Sequence, residues 1–420
     1  MRLTLSIFKA DIGSPGGHTR PAHAVRNRVE ECVQAALQKG LLVDGMVTYT
    51  GDDIAITCSH TRGRDASEVH MFAWDAFMAG TAVAQQRGDY AAGQDLLVDA
   101  PSGNIRGAGP AVAEVEFDHD PVKTNKIRPA ESVMFLYADK CGPGAYNLPL
   151  FLAMADPMYC GGLLLKPEMS QGFTFRIMDM DCTEGDRLID LDTPEDYYSI
   201  VALLRDETRF AIDSVWSRAF PDEQVLSAST SRLHNIAGKY SGKDDPVVVI
   251  RNQGIFPAPE ELLLPWAIAP IVTGGARGSH TMPITPMPIN SEVRFAYCQP
   301  IVAAIGCSVD AAGKFTSEVT DFFGDQLWDS VREQAVQKAL ALRGQGWFGP
   351  AMAHNAELAY TGLVTIQENL EHRFVVRKDG AGAVAASAAG ANGHGTGAGN
   401  GNGKAKRGGQ KREVATLAAG

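Results

Sequence analysis

Apolar and polar residues alternate from the second residue onward. Leu3, Leu5 and Ile7 fall on one face of residues 2–10, the period of a half-buried β-strand. The period then changes. Val29, Cys32, Val33, Ala36 and Leu37 recur at helical spacing, which predicts a helix over 27–39 closed by Gly40. Residues 46–50 and 54–58 read as a hairpin with Asp52 and Asp53 at its tip. Val69, Phe72, Ala73 and Ala76 predict a second helix over 66–86. Strands are expected at 133–137 and 172–178, and Val247-Val248-Val249-Ile250 is the unbroken apolar run of a buried strand. Thr193-Pro194-Glu195-Asp196 has the order of a helix start, with Thr193 as N-cap, Pro194 at the first position and Ile200, Leu203 and Leu204 facing inward. Leu327, Val331, Ala335 and Ala339 form the stripe of a further helix over 327–343. Residues 117–130, charged and holding two prolines, read as a surface excursion.

Composition sets the limits. The chain has 420 residues and a net charge of −11, which argues against nucleic-acid binding by its body and favours divalent cations as partners of its acids. No apolar run approaches a membrane span. The seven cysteines lack a CxxC pair and the N-terminus runs straight into a strand pattern, so reduced thiols and a cytoplasmic location are expected. From about residue 380 Gly, Ala, Asn, Ser and Thr dominate, followed by Lys404-Ala405-Lys406-Arg407 and Lys411-Arg412. A catalytic unit over 1–378 and a flexible tail over 379–420 are therefore expected.

The chemistry gathers where strands end. Asp11 with His18, Asp52-Asp53, Asp139-Lys140 and Asp244-Asp245 each sit in a polar loop beside an apolar strand. Adjacent aspartates repel each other, and a hard cation held through oxygen relieves that repulsion. Four such loops, with a histidine and lysines added, point to a metal-and-phosphate site. Between Ala237 and Pro246 stand Lys239, Tyr240, Lys243 and the acids Asp244 and Asp245. A lysine amine is a nucleophile only when deprotonated, and Tyr240 lies close enough in sequence to move a proton. A solvated charged turn is the competing reading of this stretch. The glycine-bearing loops at 90–95 and 102–107 suit phosphate oxygens, although generic loops look the same.

Taken in order, these loops resemble the fructose-1,6-bisphosphate aldolase/phosphatase family of archaea and deeply branching bacteria. The resemblance covers roughly residues 2–375. It rests on Lys9-Ala10-Asp11-Ile12-Gly13, His18-Thr19-Arg20, Gly51-Asp52-Asp53, Tyr90-Ala91-Ala92-Gly93-Gln94-Asp95, Ser102-Gly103-Asn104, Asp139-Lys140, Gly144-Ala145-Tyr146-Asn147, Ile236-Ala237-Gly238-Lys239-Tyr240, Gly242-Lys243-Asp244-Asp245-Pro246 and Arg277-Gly278-Ser279-His280. It implies an α+β fold, a single-domain four-layer α-β-β-α sandwich assembled as a homo-octamer. It also implies a bifunctional gluconeogenic enzyme. Such enzymes condense dihydroxyacetone phosphate with glyceraldehyde 3-phosphate and then hydrolyse the 1-phosphate of the product. By motif, Lys243 looks like the Schiff-base lysine and Tyr240 like its proton carrier. Asp11, His18, Asp52, Asp53, Gln94, Asp139, Asp244 and Asp245 match positions that bind several Mg2+ ions. His18, Tyr90, Gly103, Asn104, Lys140, Arg277 and Tyr360 match sugar-phosphate contacts. A phosphatase without the aldol step and a non-catalytic sugar-phosphate sensor are the alternatives. The chain departs from the family pattern at Cys141-Gly142, in the tail, and near Asn290 and Ser291, the nearest candidates for an acid that the family places after Ser279-His280.

Overall fold

The computed structural model describes residues 1–97, 109–119, 131–182, 185–229, 244–252, 256–274, 280–293, 299–344 and 362–377. Strand β1 (Arg2–Asp11) carries the first alternation of the sequence. With β2 (Asp44–Thr50), β3 (Asp53–His60) and β4 (Ala111–Asp118) it forms a four-stranded sheet in the order β2-β3-β1-β4. The β1/β3 pairing is antiparallel, and its register sets Asp11 opposite Asp53.

Helices α1 (His23–Gln38) and α2 (Ser67–Arg87) cover one face of this sheet. Val25, Val29 and Val33 of α1 and Val69, Ala73 and Phe77 of α2 pack with Phe8, Ala10 and Ile12. The opposite face presents Leu3, Leu5 and Ile7 to Phe135, Tyr137, Val249 and Ile305 of a second sheet. Each of these larger side chains contributes about 1.5–3 kcal/mol by leaving water. The expectation that β1 is half-buried is thereby corrected: every residue from Leu3 to Asp11 is buried. The side chains between the leucines meet the helices, and a polar one such as Ser6 is tolerated there because it is hydrogen-bonded.

The second sheet is larger. Its strands are β5 (Ser132–Asp139), β6 (Phe173–Asp179), β7 (Asp186–Asp192), β8 (Phe210–Ser217), β9 (Gln224–Ala228), β10 (Val247–Asn252), β13 (Thr285–Pro286), β14 (Ile301–Ser308), β15 (Thr320–Asp321) and β16 (Val375–Arg377). They run in the order β13-β14-β5-β10-β9-β8-β6-β7-β16, with β15 added on β14. Strands β11 (Ile271–Gly274) and β12 (His280–Pro283) pair separately. The outer face packs Leu136, Phe175, Ile177 and Ile212 against helices α3 (Asn147–Ala155) and α6 (Tyr197–Leu204), with Trp266 and Phe323 filling the same core. Between α3 and α6 lie the short α4 (Gly162–Leu165) and α5 (Pro167–Ser170). Further along come α7 (Pro259–Leu263), α8 (Asp329–Gly344) and α9 (Leu363–Leu370). Helix, sheet, sheet and helix stack in that order, which is the four-layer α+β sandwich expected.

Several boundaries differ from the sequence reading. Strand β4 was not anticipated, and residues 117 and 118 belong to its end and not to a surface excursion. Phe117 is buried because the Arg251 guanidinium lies over its ring at 4.2 Å. Helix α1 starts at His23, earlier than predicted, because Val25 adds a turn to the apolar stripe. Helix α6 starts at Tyr197 with Asp196 at its N-cap, and Thr193–Pro194 is a cis peptide. Thr193 instead accepts from the Phe173 amide at 2.9 Å, so its hydroxyl is spent on a neighbouring strand. Leu327 is exposed in a short turn ahead of α8, while Val331, Ala335 and Ala339 of the same predicted stripe are buried. Among the described residues no cysteine is paired.

Candidate active site

Strand ends from both sheets converge. Asp11 closes β1, Asp52 and Asp53 turn the β2–β3 hairpin, Asp139 and Lys140 close β5, and Asp244 and Asp245 lead into β10. Backbone bonds hold them there. The Ala138 amide donates to Pro246 O at 3.1 Å, and the Asp245 amide donates to Cys141 O at 2.8 Å. The Cys141 amide returns a bond to Asp245 Oδ1 at 2.8 Å. Lys140 and Asp245 both hold positive φ, 60° and 52°. Non-glycine residues rarely adopt that region, and such strain clusters at functional sites.

Asn290 and Ser291 lock the hairpin. The Tyr49 amide donates to Asn290 Oδ1, the Asn290 amide to Tyr49 O and the Gly51 amide to Ser291 O, each at 2.9 Å. The next residue, Glu292, reaches Arg20 Nε at 3.3 Å, so an acid does meet the loop after His18. Residues 90–95 are stitched to the end of β1. Ser14 and Tyr90 exchange backbone bonds of 3.0 and 2.7 Å, and the Asp95 amide donates to Asp11 O at 3.1 Å. Asp95 Oδ2 accepts from the Asp11 amide at 2.9 Å.

The carboxylates crowd together. Donor atoms of Asp11, His18 and Asp52 lie within 4.8 Å of one another, and so do those of Asp52, Asp53 and Asp139. Asp52 belongs to both groups. Its Oδ2 is 2.8 Å from His18 Nδ1, and its Oδ1 contacts Lys140 Nζ. Lys140 also donates to Asp139 Oδ1 at 2.9 Å. Lys9 Nζ, itself buried, contacts Asp53 Oδ2. The Tyr90 ring stands edge-on to His18, centroids 5.0 Å apart. Gln94 lies in the turn between Tyr90 and Asp95 and donates its amide to Ala91 O at 3.0 Å.

Charge and burial oppose each other here. Burial pushes the Asp11 carboxyl well above the usual range, and the charges of Asp52 and Asp53 push the same way. Burial likewise raises Asp139 against the pull of Lys140. Asp245 is pushed up to about 7 by burial first and then by the neighbouring Asp244 and Asp53. Burial acts on Asp52 too, but Lys140 and His18 outweigh it and hold that carboxyl well below the usual range. Burial disfavours the Lys140 cation, yet Asp139, Asp52 and Asp53 hold it firmly protonated.

Two oxygens decide whether the cluster suits a cation. Among the described residues Asp53 Oδ1 and Asp139 Oδ2 are buried and have no hydrogen-bond partner. Carboxylate oxygens out of water, unpaired and surrounded by other carboxylates, form the donor set of a hard divalent ion. Among the described residues Lys9 and Lys140 alone do not balance Asp11, Asp52, Asp53, Asp139 and Asp245. The residues present therefore fit a divalent cation.

The structure brings together Asp11, His18, Asp52, Asp53, Asp139, Lys140 and Asp245, with Tyr90 at the rim. Asp244 is half-buried beside them in sequence. Tyr240, Lys243, Gly103, Asn104, Arg277 and Tyr360 lie outside the described residues. Lys9 was passed over in the sequence reading. Its signal was the alternation itself, which puts a lysine on the buried face of Leu3, Leu5 and Ile7.

Comparison with known proteins agrees with this geometry. A family profile described as fructose-1,6-bisphosphatase matches residues 2–375. A fructose-1,6-bisphosphate aldolase/phosphatase of Thermus thermophilus is 51% identical over 374 residues, covering 89% of this chain and 100% of the relative. Proteins of the same name from Cenarchaeum symbiosum and Moorella thermoacetica are 41% and 38% identical, covering 91% and 89% of this chain and 97% and 94% of the relatives.

Proposed function

The chain belongs to the fructose-1,6-bisphosphate aldolase/phosphatase family, and from that premise we propose how its own residues carry both reactions. Dihydroxyacetone phosphate and glyceraldehyde 3-phosphate condense to fructose 1,6-bisphosphate. The 1-phosphate is then hydrolysed in the same site, leaving fructose 6-phosphate.

In the first step the Lys243 amine attacks the ketone carbon of dihydroxyacetone phosphate and water leaves, giving a protonated imine. The imine draws electrons from the adjacent carbon, which loses a proton to Tyr240 and then attacks the aldehyde carbon. Tyr240 returns a proton to the alkoxide that forms, and water releases the sugar from Lys243. The sequence order Tyr240, Lys243, Asp244 and the family membership support these two roles.

For the second step Asp11, His18, Asp52, Asp53, Gln94, Asp139, Asp244 and Asp245 are the groups that hold Mg2+. Magnesium, when bound, offsets phosphate charge and polarises the bond to be broken. The unpartnered oxygens of Asp53 and Asp139 are the observation that carries this assignment. Lys140, kept cationic by its carboxylate neighbours, offers its charge to a phosphate oxygen. Asp52 orients the His18 ring through Nδ1 beside Tyr90, and Nε2 is the nitrogen left for the metal or substrate contact that the family likeness assigns to His18. Gly103, Asn104, Arg277 and Tyr360 complete the sugar-phosphate contacts by family likeness.

We assign the catalytic unit to residues 1–378 and the remainder to an appended tail. We also assign the enzyme to the cytoplasm and to a homo-octamer. An assembly gives the exposed Met158, Leu164 and Leu165, close together in the chain, a place to be buried. No helix among the described residues is long and apolar enough to cross a membrane.

The test is borohydride trapping. Reduction in the presence of dihydroxyacetone phosphate should add a stable mass to the peptide that contains Lys243. Lys243→Arg should lose condensation, and Tyr240→Phe should still trap while condensing slowly. A label on Lys239 or Lys140, or normal condensation by Lys243→Arg, would refute the assignment.

A further inference from the structure

Towards the other end of β1 and β3 from the acid cluster lies a second buried polar group that the proposed chemistry does not use. Ser6, His60, His70 and Glu114 are each at most 4% exposed. Ser6 Oγ donates to Glu114 Oε1 at 2.7 Å and is 2.9 Å from His60 Nε2. A hydroxyl has one proton, so His60 Nε2 must be the donor to Ser6. His60 Nδ1 then accepts from the Arg62 amide at 3.3 Å. This is a neutral imidazole in a fixed tautomer, and burial favours it. The chain of bonds pins Glu114 through Oε1 and aims Oε2 at His70.

His70 completes nothing in that chain. Among the described residues neither of its buried ring nitrogens has a hydrogen-bond partner. Its Nε2 stands 3.3 Å from Glu114 Oε2, an ion-pair contact that, against burial, helps hold the Glu114 carboxyl below its usual range but lacks good hydrogen-bond geometry. Asp65 follows on the loop before α2, its amide donating to Glu114 Oε2 at 2.7 Å. Ligand atoms of Asp65, His70 and Glu114 lie within 4.8 Å of one another. Metal–ligand bonds of about 2.0–2.1 Å at tetrahedral angles put neighbouring ligand atoms roughly 3.3 Å apart. The His70–Glu114 separation has that length.

We propose that Asp65, His70 and Glu114 form a second metal site, separate from the acid cluster, that takes one divalent transition ion of the Zn2+ class. With one imidazole among three donors this group favours such an ion over Mg2+, whereas in the acid cluster six aspartates outnumber the one imidazole of His18. Two carboxylates and a neutral imidazole balance a dication. Ser6 and His60 orient Glu114 from behind, the arrangement that sets ligand direction in known sites. Asp65 is exposed and opens the fourth position to water. Its present neighbour, Arg64 Nε at 3.7 Å, is a weak surface pair that an ion displaces. Bound there, the ion ties the start of α2 to β4.

The full chain is equilibrated with Zn2+ in excess Mg2+, which occupies the oxygen-rich acid cluster, and bound zinc is measured by mass spectrometry. The comparator is Asp65→Asn. Asp65 has a φ of 58°, which asparagine also tolerates, so the variant keeps the backbone. The wild type should bind about one zinc per chain more than Asp65→Asn does, with at least tenfold higher affinity at that site. Co2+ in place of Zn2+ should give visible absorption bands that Asp65→Asn lacks, and phosphatase activity should be equal in the two proteins. No additional zinc in the wild type, or an affinity difference below tenfold, overturns the proposal.

Discussion

Gly51→Ala is the substitution that tests the acid cluster most directly. Gly51 turns the β2–β3 hairpin at a φ of +60°. An alanine there adopts a left-handed backbone at a cost of about 1–2 kcal/mol. Its methyl group also lands on Asp139 Oδ2, 2.6 Å from Asp139 Cγ and 2.8 Å from Val293 Cγ2. The Asp139 side chain is fully buried and held at Oδ1 by Lys140, so it has no open direction in which to swing. Ordinary contact lies near 3.5 Å, so the carboxylate must move by roughly 1 Å or more. A displacement of that size in a catalytic site costs on the order of a hundredfold in rate. Gly40→Ala is the control. Gly40 has a φ of +67° and open space around the new methyl group, so it bears the backbone cost alone. Phosphate release from fructose 1,6-bisphosphate is followed against Mg2+ concentration, with urea melts of both variants alongside. Gly51→Ala should lose about a hundredfold in phosphatase rate and need more Mg2+ for half-activity, and Gly40→Ala should match the wild type in both. Equal activity in the two variants would show that the Asp139 oxygen does not matter to hydrolysis.

Three further outcomes are expected. Chelation should abolish phosphatase activity and Mg2+ should restore it, and full turnover in excess chelator after removal of tightly bound ions would contradict the oxygen-donor reading of Asp53 and Asp139. Arg251→Met should destabilise the fold by about 3 kcal/mol in a denaturant melt, because the buried guanidinium serves Glu131 and Glu223 at 2.7 and 2.6 Å and both acids keep some contact with water. A loss under 1 kcal/mol would mean that stacking on Phe117 can be replaced by methionine and that the ion pairs are worth little. A chain ending at residue 378 should keep both activities and its thermal midpoint, since the family match closes at residue 375. Loss of either activity on truncation would give the tail a role.

Much of the fold is legible where one periodicity dominates. The alternation in β1, the helical stripes of α1 and α2 and the apolar run of β10 each depend on local pattern, and the structure has a strand or helix at each, although β1 is buried on both faces and α1 starts earlier. Strand β4 escaped because Glu114 and Glu116 make Ala111–Asp118 look like a solvated edge. Their partners, Ser6 with the Asp65 amide for Glu114 and Arg2 for Glu116, are distant in sequence. The start of α6 was misread because the capping hydroxyl of Thr193 bonds to Phe173 on another strand, a choice fixed by tertiary contact. In the site the acids were legible because paired aspartates need a reason. Their gathering in one site was expected too, but not the contacts that fix it, the β1/β3 register and the Asp245–Cys141 bonds, which join residues distant in sequence. Asn290 and Ser291, the nearest candidates for the family's substrate-binding acid, also hold the hairpin, a role that depends on contacts with Tyr49 and Gly51 far away in sequence.

The register that sets Asp11 opposite Asp53 also bears on how this chain persists through mutation. Like charges facing each other across an antiparallel pair weaken it. The Asp11 and Asp139 carboxyls sit well above their usual range, so without cations their ionisation works against the fold. The sign follows: the unfolded chain releases those protons near pH 4 while the folded chain keeps them. Stability of the metal-free protein therefore falls as pH rises from there towards the raised values. A population of variants screened in chelator for heat resistance alone should accumulate asparagine at 11 and 139, gaining midpoint and losing turnover. Such a lineage would keep its sandwich and forget its chemistry. The acids stay in place only while turnover is selected.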